Sequence, residues 1–267
     1  MKSLLVLGYG RMGSAIATAV KSRAPDIDVV GFDRDIDRAS KALPEDIRIT
    51  NSSTDLQTRE FDVVLLAVKP AEFTELVGLC RSLRGNPLTI SVMAGVSLKT
   101  LTSLLQHSRV VRAMPNLGAL VGESMTVGIA TVMLSAEDKT SAANFLSLVG
   151  RFQWLTNESE IDIATAIAGS GPGFFFSFAQ HLISGAIDEG VEPEFAELLV
   201  RQTLRGAAML LSRDEHSPRH WKESVASPKG TTEAGLKVLE AADALPSLCR
   251  IAIKAARERS QTIAREI

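Results

Sequence analysis

The first residues whose types and spacing point to chemistry form a glycine-rich turn after a short apolar run. Ser3–Leu7 leads into residues 8–13, Gly-Tyr-Gly-Arg-Met-Gly, and Asp33 follows about 20 residues later. In such a turn the first glycine permits a tight bend, the second lets a pyrophosphate approach bare backbone, and the third allows close helix packing. The N–H groups of the helix that follows then face the phosphates. The pattern predicts a dinucleotide site rather than a structural turn.

A second cluster lies at residues 227–233, Ser-Pro-Lys-Gly-Thr-Thr-Glu, directly before a helical pattern. It places hydroxyls and unpaired backbone N–H groups at the start of a helix. Taken alone, these residues are most simply explained by Thr231 or Thr232 acting as the helix N-cap. The alternative is a receptor for a small carboxylate, because the same N–H groups and the positive end of the helix attract anions.

The elements that must position these residues alternate through the first half of the chain. Short apolar runs separated by helical patterns predict a mostly parallel sheet; after Ser3–Leu7 they are residues 29–32, 61–68, 88–93, 110–113 and 125–130. The run 61–68 lacks a polar face, as expected of a central strand covered by helices on both sides. Pro70 can open the next helix, so 67–70 should lie at the carboxyl edge of the sheet, where doubly wound folds bind ligands.

The composition and pattern of the sequence change after Trp154, where long helical stretches rich in alanine and leucine replace the strand-like runs. We therefore expect a dinucleotide-binding domain at 1–157 and a helical domain at 158–267. The stretch 174–187 is apolar on nearly every side, which predicts a subunit interface. A helix buried in the core of a monomer would have the same pattern.

Composition narrows the class of protein. The 267 residues are 45% hydrophobic with a net charge of −2, which suits two globular domains. We find no basic run, so nucleic-acid binding is disfavoured. We also find neither a signal sequence nor an apolar run of about 18 residues, so we expect a soluble cytoplasmic protein without membrane contact. Cys80 and Cys249 are expected to be free thiols.

Three further motifs join these two clusters into one pattern. They are Ala-Val-Lys-Pro at 67–70, Arg-Ala-Met-Pro-Asn at 112–116 and Gly-Ser-Gly-Pro-Gly at 169–173. With the turn at 8–13 and the loop at 227–232, in this order along essentially the whole chain, the sequence resembles the Δ1-pyrroline-5-carboxylate reductase family. The resemblance implies an α/β Rossmann-type N-terminal domain and an all-α C-terminal dimerisation domain, in a homodimer or higher homo-oligomer.

The resemblance also implies a reaction, in which NADPH or NADH reduces 1-pyrroline-5-carboxylate to L-proline, the last step of proline biosynthesis. The turn and the resemblance together place these residues at the coenzyme: Gly8, Tyr9, Gly10, Arg11, Met12, Gly13, Asp33, Arg34, Asn51, Ala67, Val68, Lys69, Pro70, Ala94, Gly95, Met114, Pro115 and Asn116. The substrate would be held by Ser227, Lys229, Gly230, Thr231 and Thr232. Thr232 is the catalytic candidate, through a hydrogen bond to the ring nitrogen, and Glu215 is expected to orient the loop.

The sequence leaves several alternatives open. Lys229 stands where the family usually has glycine, and Asp33 followed by Arg34 leaves the choice between NADH and NADPH undecided. Another cyclic-imine reductase, a related hydroxy-acid dehydrogenase or a non-catalytic nucleotide sensor would share much of the pattern. His216 and His220 have a helical spacing for a metal, but Pro218 between them disfavours that geometry, so we predict no metal site.

Overall fold

The computed structural model describes residues 1–40, 47–213 and 215–266. Within these ranges the chain forms an eight-stranded sheet of order β3-β2-β1-β4-β5-β6-β7-β8. The strands are β1 Ser3–Leu7, β2 Asp28–Phe32, β3 Arg48–Thr50, β4 Val63–Leu66, β5 Leu88–Ser91, β6 Val110–Met114, β7 Ser124–Ala130 and β8 Gly150–Trp154. All neighbouring strands run parallel except β6 and β7, which are antiparallel. This arrangement confirms the predicted Rossmann-type sheet.

Helices cover both faces of the sheet because alternate residues of a strand point to opposite faces. In β1, Leu4 and Val6 belong to one buried cluster, whereas Leu5 and Leu7 belong to the other. The helices are α1 Arg11–Arg23, α2 Ile36–Ser40, α3 Ser53–Gln57, α4 Pro70–Ser82, α5 Leu98–Leu105, α6 Ala136–Ser147, α7 Glu160–Ala164, α8 Gly171–Asp188, α9 Pro193–Arg213, α10 Pro218–Val225, α11 Thr231–Glu240 and α12 Ala244–Glu266. A π-helical turn, Thr165–Gly169, connects α7 to α8.

The central strand and the helix after it agree with the sequence pattern. All four residues of β4 are buried, as expected for a strand covered on both faces. Pro70 lies in the first turn of α4 and Lys69 is its N-cap residue, which confirms that this proline opens the helix. The strand is shorter than the apolar run 61–68, because the chain turns after Leu66 to reach α4.

The described chain forms two compact units. The first comprises Met1–Ser170 together with the end of α12 from Ala255, and the second is Gly171–Lys254. The two units are defined by contacts between residues, whereas the predicted boundary after residue 157 is based on the change in sequence pattern. The boundary after 157 stays a prediction.

In the second unit, α8 and α9 leave large apolar side chains uncovered within one chain. Phe175 is 63% exposed and Phe176 is 59% exposed on α8, and Leu198 is 61% exposed on α9. The interpretation of 174–187 as a core helix of a monomer is therefore wrong, since a core helix would bury these side chains. The apolar face remains available to a partner surface. In the part of the chain that the structure describes, we find no helix with the length and apolar content needed to cross a membrane.

Candidate functional site

In the turn between β1 and α1, side chains in place of the glycines would collide with neighbouring backbone atoms. Gly8 has φ +94°, a region that favours glycine, and a Cβ there would lie 2.8 Å from the carbonyl oxygen of Ala67. Its N–H donates to the carbonyl of Phe32 at 2.9 Å, which ties the turn to the end of β2. A Cβ at Gly13 would lie 2.0 Å from the carbonyl oxygen of Gly8. The turn and the first helical turn therefore pack backbone to backbone.

The open side of the same turn fits a pyrophosphate. Gly10 is the N-cap residue of α1, and within residues 1–40 no side chain caps this helix end. Apart from Gly10 itself and its neighbours in the chain, no described heavy atom lies within 4 Å of a Cβ built at Gly10, so the space above this backbone is open. Uncapped N–H groups at the positive end of a helix form an anion site. The observed cradle fits the phosphates of a dinucleotide, with Arg11 and Met12 in its first helical turn.

Tyr9 contributes its backbone to this turn and its side chain to the core. The ring is 2% exposed and lies against Gly31, where a Cβ would approach the Tyr9 Cδ2 atom to 2.7 Å. Burial raises the pKa of the Tyr9 hydroxyl to about 12. The backbone N–H of Tyr9 donates to Oδ2 of Asp33 at 2.9 Å. Tyr9 therefore links the turn to Asp33 and does not present its hydroxyl to a ligand.

A cavity of about 220 Å³ lies beside the turn at the carboxyl ends of β1, β2 and β4. It is lined by Gly8, Phe32, Asp33, Arg34, Asp35, Val68, Glu72 and Leu76. The Asp33 carboxylate is buried, and its second oxygen accepts the N–H of Asp35 at 3.0 Å. Arg34 forms an ion pair with Glu75 on α4. Glu75 was not predicted from the sequence, because no local pattern links it to a residue 41 positions earlier.

The other predicted coenzyme residues follow successive parallel strands. Asn51 follows β3; Ala67, Val68, Lys69 and Pro70 follow β4; Ala94 and Gly95 follow β5; Met114, Pro115 and Asn116 stand at or after the end of β6. Because the carboxyl ends of parallel strands share one edge of a sheet, the structure places this set on the same sheet edge as the glycine turn. This is the edge where doubly wound folds bind nucleotides.

Asn116 uses its side chain to hold the backbone around this edge. Its Oδ1 accepts the N–H of Gly118 at 2.9 Å, and its Nδ2 donates to the carbonyl of Ala168 at 2.9 Å. The second bond fixes the π-helical turn that precedes the Gly-Ser-Gly-Pro-Gly motif, and π-helical turns occur frequently at functional sites. The Asn116 amide is therefore engaged in positioning these two loops.

A buried ion pair supports the loop after β5, and its acidic member was not predicted from the sequence. Arg112 of β6 is 5% exposed, and its Nη1 donates to Oε1 of Glu158 at 2.7 Å. The same carboxylate oxygen accepts the N–H of Leu98, the first residue of α5, at 2.8 Å. An arginine inside an apolar strand was the one available signal, since a buried cation requires a partner.

In the second unit, the loop 227–233 forms an uncapped helix start. Gly230 is the N-cap residue of α11, so the interpretation of Thr231 or Thr232 as the N-cap is wrong. Within the described range 215–266, no side chain accepts a hydrogen bond as a cap here. The N–H of Gly230 donates to the carbonyl of Ser227 at 2.9 Å, which closes the turn before the helix. The first N–H groups of α11 are thus oriented as in an anion site.

Lys229 occupies this turn in a backbone conformation that favours glycine. Its φ is +62°, and its N–H donates to Oε2 of Glu233 at 2.7 Å. Glu233 also pairs with Lys237 at 3.2 Å. The acidic side chain reaching back from the third helical residue stabilises the turn in the manner of a capping box. The residue that departs from the family pattern therefore keeps the backbone shape expected of glycine.

Two other polar groups of this unit lie outside that turn. Glu215 is exposed, and in the described part of the chain it makes no hydrogen bond or ion pair with the loop 227–233, so its orienting role stays a prediction. The rings of His216 and His220 stack with centroids 4.1 Å apart. The described residues hold no group of three or more metal-ligating side chains.

Two family models match separate parts of the chain. Residues 158–263 match the model described as pyrroline-5-carboxylate reductase dimerisation. Residues 3–95 match the model described as NADP oxidoreductase, coenzyme F420-dependent. The first model covers the exposed apolar helices and the loop 227–233, and the second covers the glycine turn.

Curated relatives and solved structures match the whole chain. The pyrroline-5-carboxylate reductase of Pseudomonas aeruginosa is 31% identical over 265 residues, covering 98% of this chain and 96% of the relative. That of Methanosarcina acetivorans is 33% identical, covering 97% of each chain. The Coxiella burnetii enzyme structure has a TM-score of 0.87 at 29% identity, and the Plasmodium falciparum pyrroline carboxylate reductase with NADP bound has 0.84 at 25%. Each structure covers 98% of both chains.

Proposed function

Because the chain belongs to the pyrroline-5-carboxylate reductase family, we propose that it reduces 1-pyrroline-5-carboxylate to L-proline with NADH or NADPH, the last step of proline biosynthesis. The observation that carries this proposal is the identity above 30% along nearly the full length of curated enzymes of that name. The uncapped helix starts in the two units, at Gly10 and at Gly230, support it.

The residues of the first unit would hold the coenzyme, which supplies a hydride when bound. The glycine turn would receive the pyrophosphate on the N–H groups of α1. Asp33 and Asn51 would hold the adenosine side, and the residues after β4, β5 and β6 would hold the nicotinamide side. Arg112 and Glu158 would keep the loop after β5 in place, because the Glu158 carboxylate that pairs with Arg112 also accepts the N–H of Leu98, the first residue of α5.

The start of α11 would hold the substrate. Its carboxylate would accept N–H bonds from the first helical turn, at Thr231 and Thr232, and hydrogen bonds from the side chain of Ser227. Lys229 would add a positive charge beside that carboxylate. Gly230 contributes bare backbone, since a Cβ there would lie 2.4 Å from the Ser227 Oγ atom. This arrangement would fix the orientation of a small cyclic acid.

Thr232 would act on the ring nitrogen through its hydroxyl. An imine that enters protonated already has an electrophilic carbon, so the main task of the protein is to hold two reactants close together without water. As the hydride arrives, the nitrogen gains electron density and the Thr232 hydroxyl would hydrogen-bond it. Glu215 would serve as a positioning residue for the loop, acting from the segment before α10.

We also infer how the chain assembles and where it acts. The segment 158–267 would form the substrate-binding and dimerisation domain of a homodimer or larger homo-oligomer, with its apolar helix faces at the interface. The enzyme would act in the cytoplasm, with a small-molecule substrate and neither a nucleic-acid nor a membrane partner.

A coenzyme-oxidation assay with purified protein tests the reaction. We expect loss of reduced nicotinamide absorbance that depends on 1-pyrroline-5-carboxylate, with L-proline as the product. A six-membered cyclic imine and a β-hydroxy acid, assayed in parallel, separate the alternatives of another imine reductase and a hydroxy-acid dehydrogenase. Coenzyme binding without turnover on any of these substrates would contradict the proposal and indicate a nucleotide sensor.

A further inference from the structure

The turn before α11 depends on an acidic side chain that no role above includes. We infer that Glu233 is a positioning residue for the substrate, because it holds the turn 227–230 in the shape that leaves the start of α11 open to a carboxylate. The inference rests on the proposed function, since it names the group that maintains the proposed substrate site. Lys229 of this turn has the backbone conformation that makes such a group necessary.

The turn has a shape that its sequence does not favour. The N–H of Gly230 donates to the carbonyl of Ser227 at 2.9 Å, which closes a four-residue turn. Lys229 is the third residue of this turn and has φ +62°. Turns with a positive φ at that position usually carry glycine or asparagine there, because a Cβ makes left-handed backbone unfavourable. A lysine here is therefore expected to require an additional contact to keep its conformation.

Glu233 supplies that contact from the first turn of α11. Its Oε2 atom accepts the N–H of Lys229 at 2.7 Å, and its Oε1 atom pairs with Nζ of Lys237 at 3.2 Å. The Glu233 side chain is 35% exposed, so water competes only in part for these contacts. With both oxygens engaged, the carboxylate is held against the residue that precedes the N-cap.

This contact leaves the N–H groups of the helix start available. The first hydrogen bond of α11 runs from the N–H of Ala234 to the carbonyl of Gly230 at 3.2 Å. The N–H groups of Thr231, Thr232 and Glu233 therefore have no partner within the helix. A side-chain cap would occupy one of them, but in the described range 215–266 no side chain caps this end. Glu233 thus fixes the turn without filling the anion site.

The charge of Glu233 acts against its hydrogen bond. The carboxylate lies at the helix end that would receive the substrate carboxylate, so its negative charge repels that group. The ion pair with Lys237 offsets part of this repulsion. Substitution separates the two effects, because glutamine keeps an oxygen that accepts the Lys229 N–H and loses the charge, whereas alanine loses both.

Steady-state kinetics of the purified full-length protein test the inference. Pyrroline-5-carboxylate is varied at a saturating concentration of whichever reduced coenzyme gives the faster turnover. Glu233→Ala should raise KM for the imine by about fivefold. It should change kcat and the affinity for coenzyme by less than about twofold, because Thr232 is held within α11. Glu233→Gln should instead lower KM for the imine by about twofold at low salt, and high salt should remove this gain.

The Lys229→Gly variant gives a rescue that a merely structural role would not show. Glycine adopts a positive φ without assistance, so the turn then needs no anchor. Adding Glu233→Ala to Lys229→Gly should raise KM for the imine by less than about twofold. Equal rises in the two backgrounds would overturn the inference.

A matched variant separates the turn from the ion pair. Lys237→Gln breaks the ion pair with Glu233 and keeps the hydrogen bond to Lys229, so KM for the imine should change by less than about twofold. A rise as large as that of Glu233→Ala would assign the effect to the ion pair and overturn the inference.

The outcomes distinguish this inference from the proposed function. An active wild type whose KM for the imine does not respond to Glu233→Ala would overturn the role of Glu233 and leave the proposed function intact. A wild type that reduces no pyrroline-5-carboxylate would refute the proposed function, and the role of Glu233 would fail with it.

Discussion

Removing the carboxylate of Glu158 should destabilise the loop that follows β5. This carboxylate is the partner of Arg112, whose side chain is 6% exposed, and it also accepts the N–H of Leu98. Losing one partner of a buried ion pair costs about 3–5 kcal/mol. The Glu158 side chain is 32% exposed, so water can partly replace the carboxylate in Glu158→Ala. We therefore expect a loss of about 2–4 kcal/mol in the free energy of unfolding.

The thermal midpoint measures this loss. At about 2–4 °C per kcal/mol for a domain of this size, Glu158→Ala should lower Tm by about 4–16 °C. Protein concentration must be held constant, because oligomerisation shifts Tm. Glu158→Gln keeps an oxygen that can accept both hydrogen bonds and loses only the charge, so we expect a cost nearer 1 kcal/mol.

A double-mutant cycle separates the ion pair from general damage. Arg112→Met removes the buried cation, so adding Glu158→Ala to it should cost much less than Glu158→Ala alone. Equal Tm losses for Glu158→Ala in the two backgrounds would refute the reasoning. A loss under about 2 °C for Glu158→Ala alone would refute it too.

Three further predictions concern the site and the sheet. Thr232→Ala should lower kcat by about 10²–10⁴ with coenzyme affinity unchanged, and Thr232→Ser should restore most of it; unchanged steady-state turnover would remove Thr232 from the reaction. Gly13→Ala should weaken binding of both coenzymes in a fluorescence titration, because its Cβ would lie 2.0 Å from the Gly8 carbonyl oxygen; wild-type affinity would show that the turn tolerates a side chain. The hydrogen bond from Arg109 holds the pKa of Asp138 below its ordinary 3.8, so this pair stabilises the fold above that pH and the contribution fades as pH falls below it. Asp138→Asn should therefore flatten the acid limb of a stability-against-pH curve, and an unchanged limb would contradict this assignment.

The parts of the fold that were predictable depend on local patterns. The apolar run of β1, the glycine turn and the helix after it lie within a short stretch, so spacing alone predicts their geometry. Pro70 at the start of α4 is a similar case, because proline suits the first helical turn. The strands β3 and β8 were missed. Both lie at sheet edges, and β3 has three residues while β8 alternates between half-buried and exposed residues, so neither has a strong apolar signal.

The parts of the site that were missed depend on contacts distant in sequence. Glu75 and Glu158 each meet an arginine more than 40 positions away, and such pairing follows from how strands and helices pack. The N-cap of α11 was misplaced for a different reason. Sequence preference favours a threonine cap, but the chain places Gly230 there, which leaves the threonines within the first helical turn. The coenzyme residues were easier to group, because parallel strands bring their carboxyl ends to one edge.

Isotope transfer tests the central claim most directly. Purified enzyme is supplied with 1-pyrroline-5-carboxylate and with reduced coenzyme that carries deuterium at the transferable position of the nicotinamide ring. Our account predicts L-proline with one deuterium on the carbon that was the imine carbon, formed in step with coenzyme oxidation. Proline without the label, or coenzyme oxidation without proline, would contradict it.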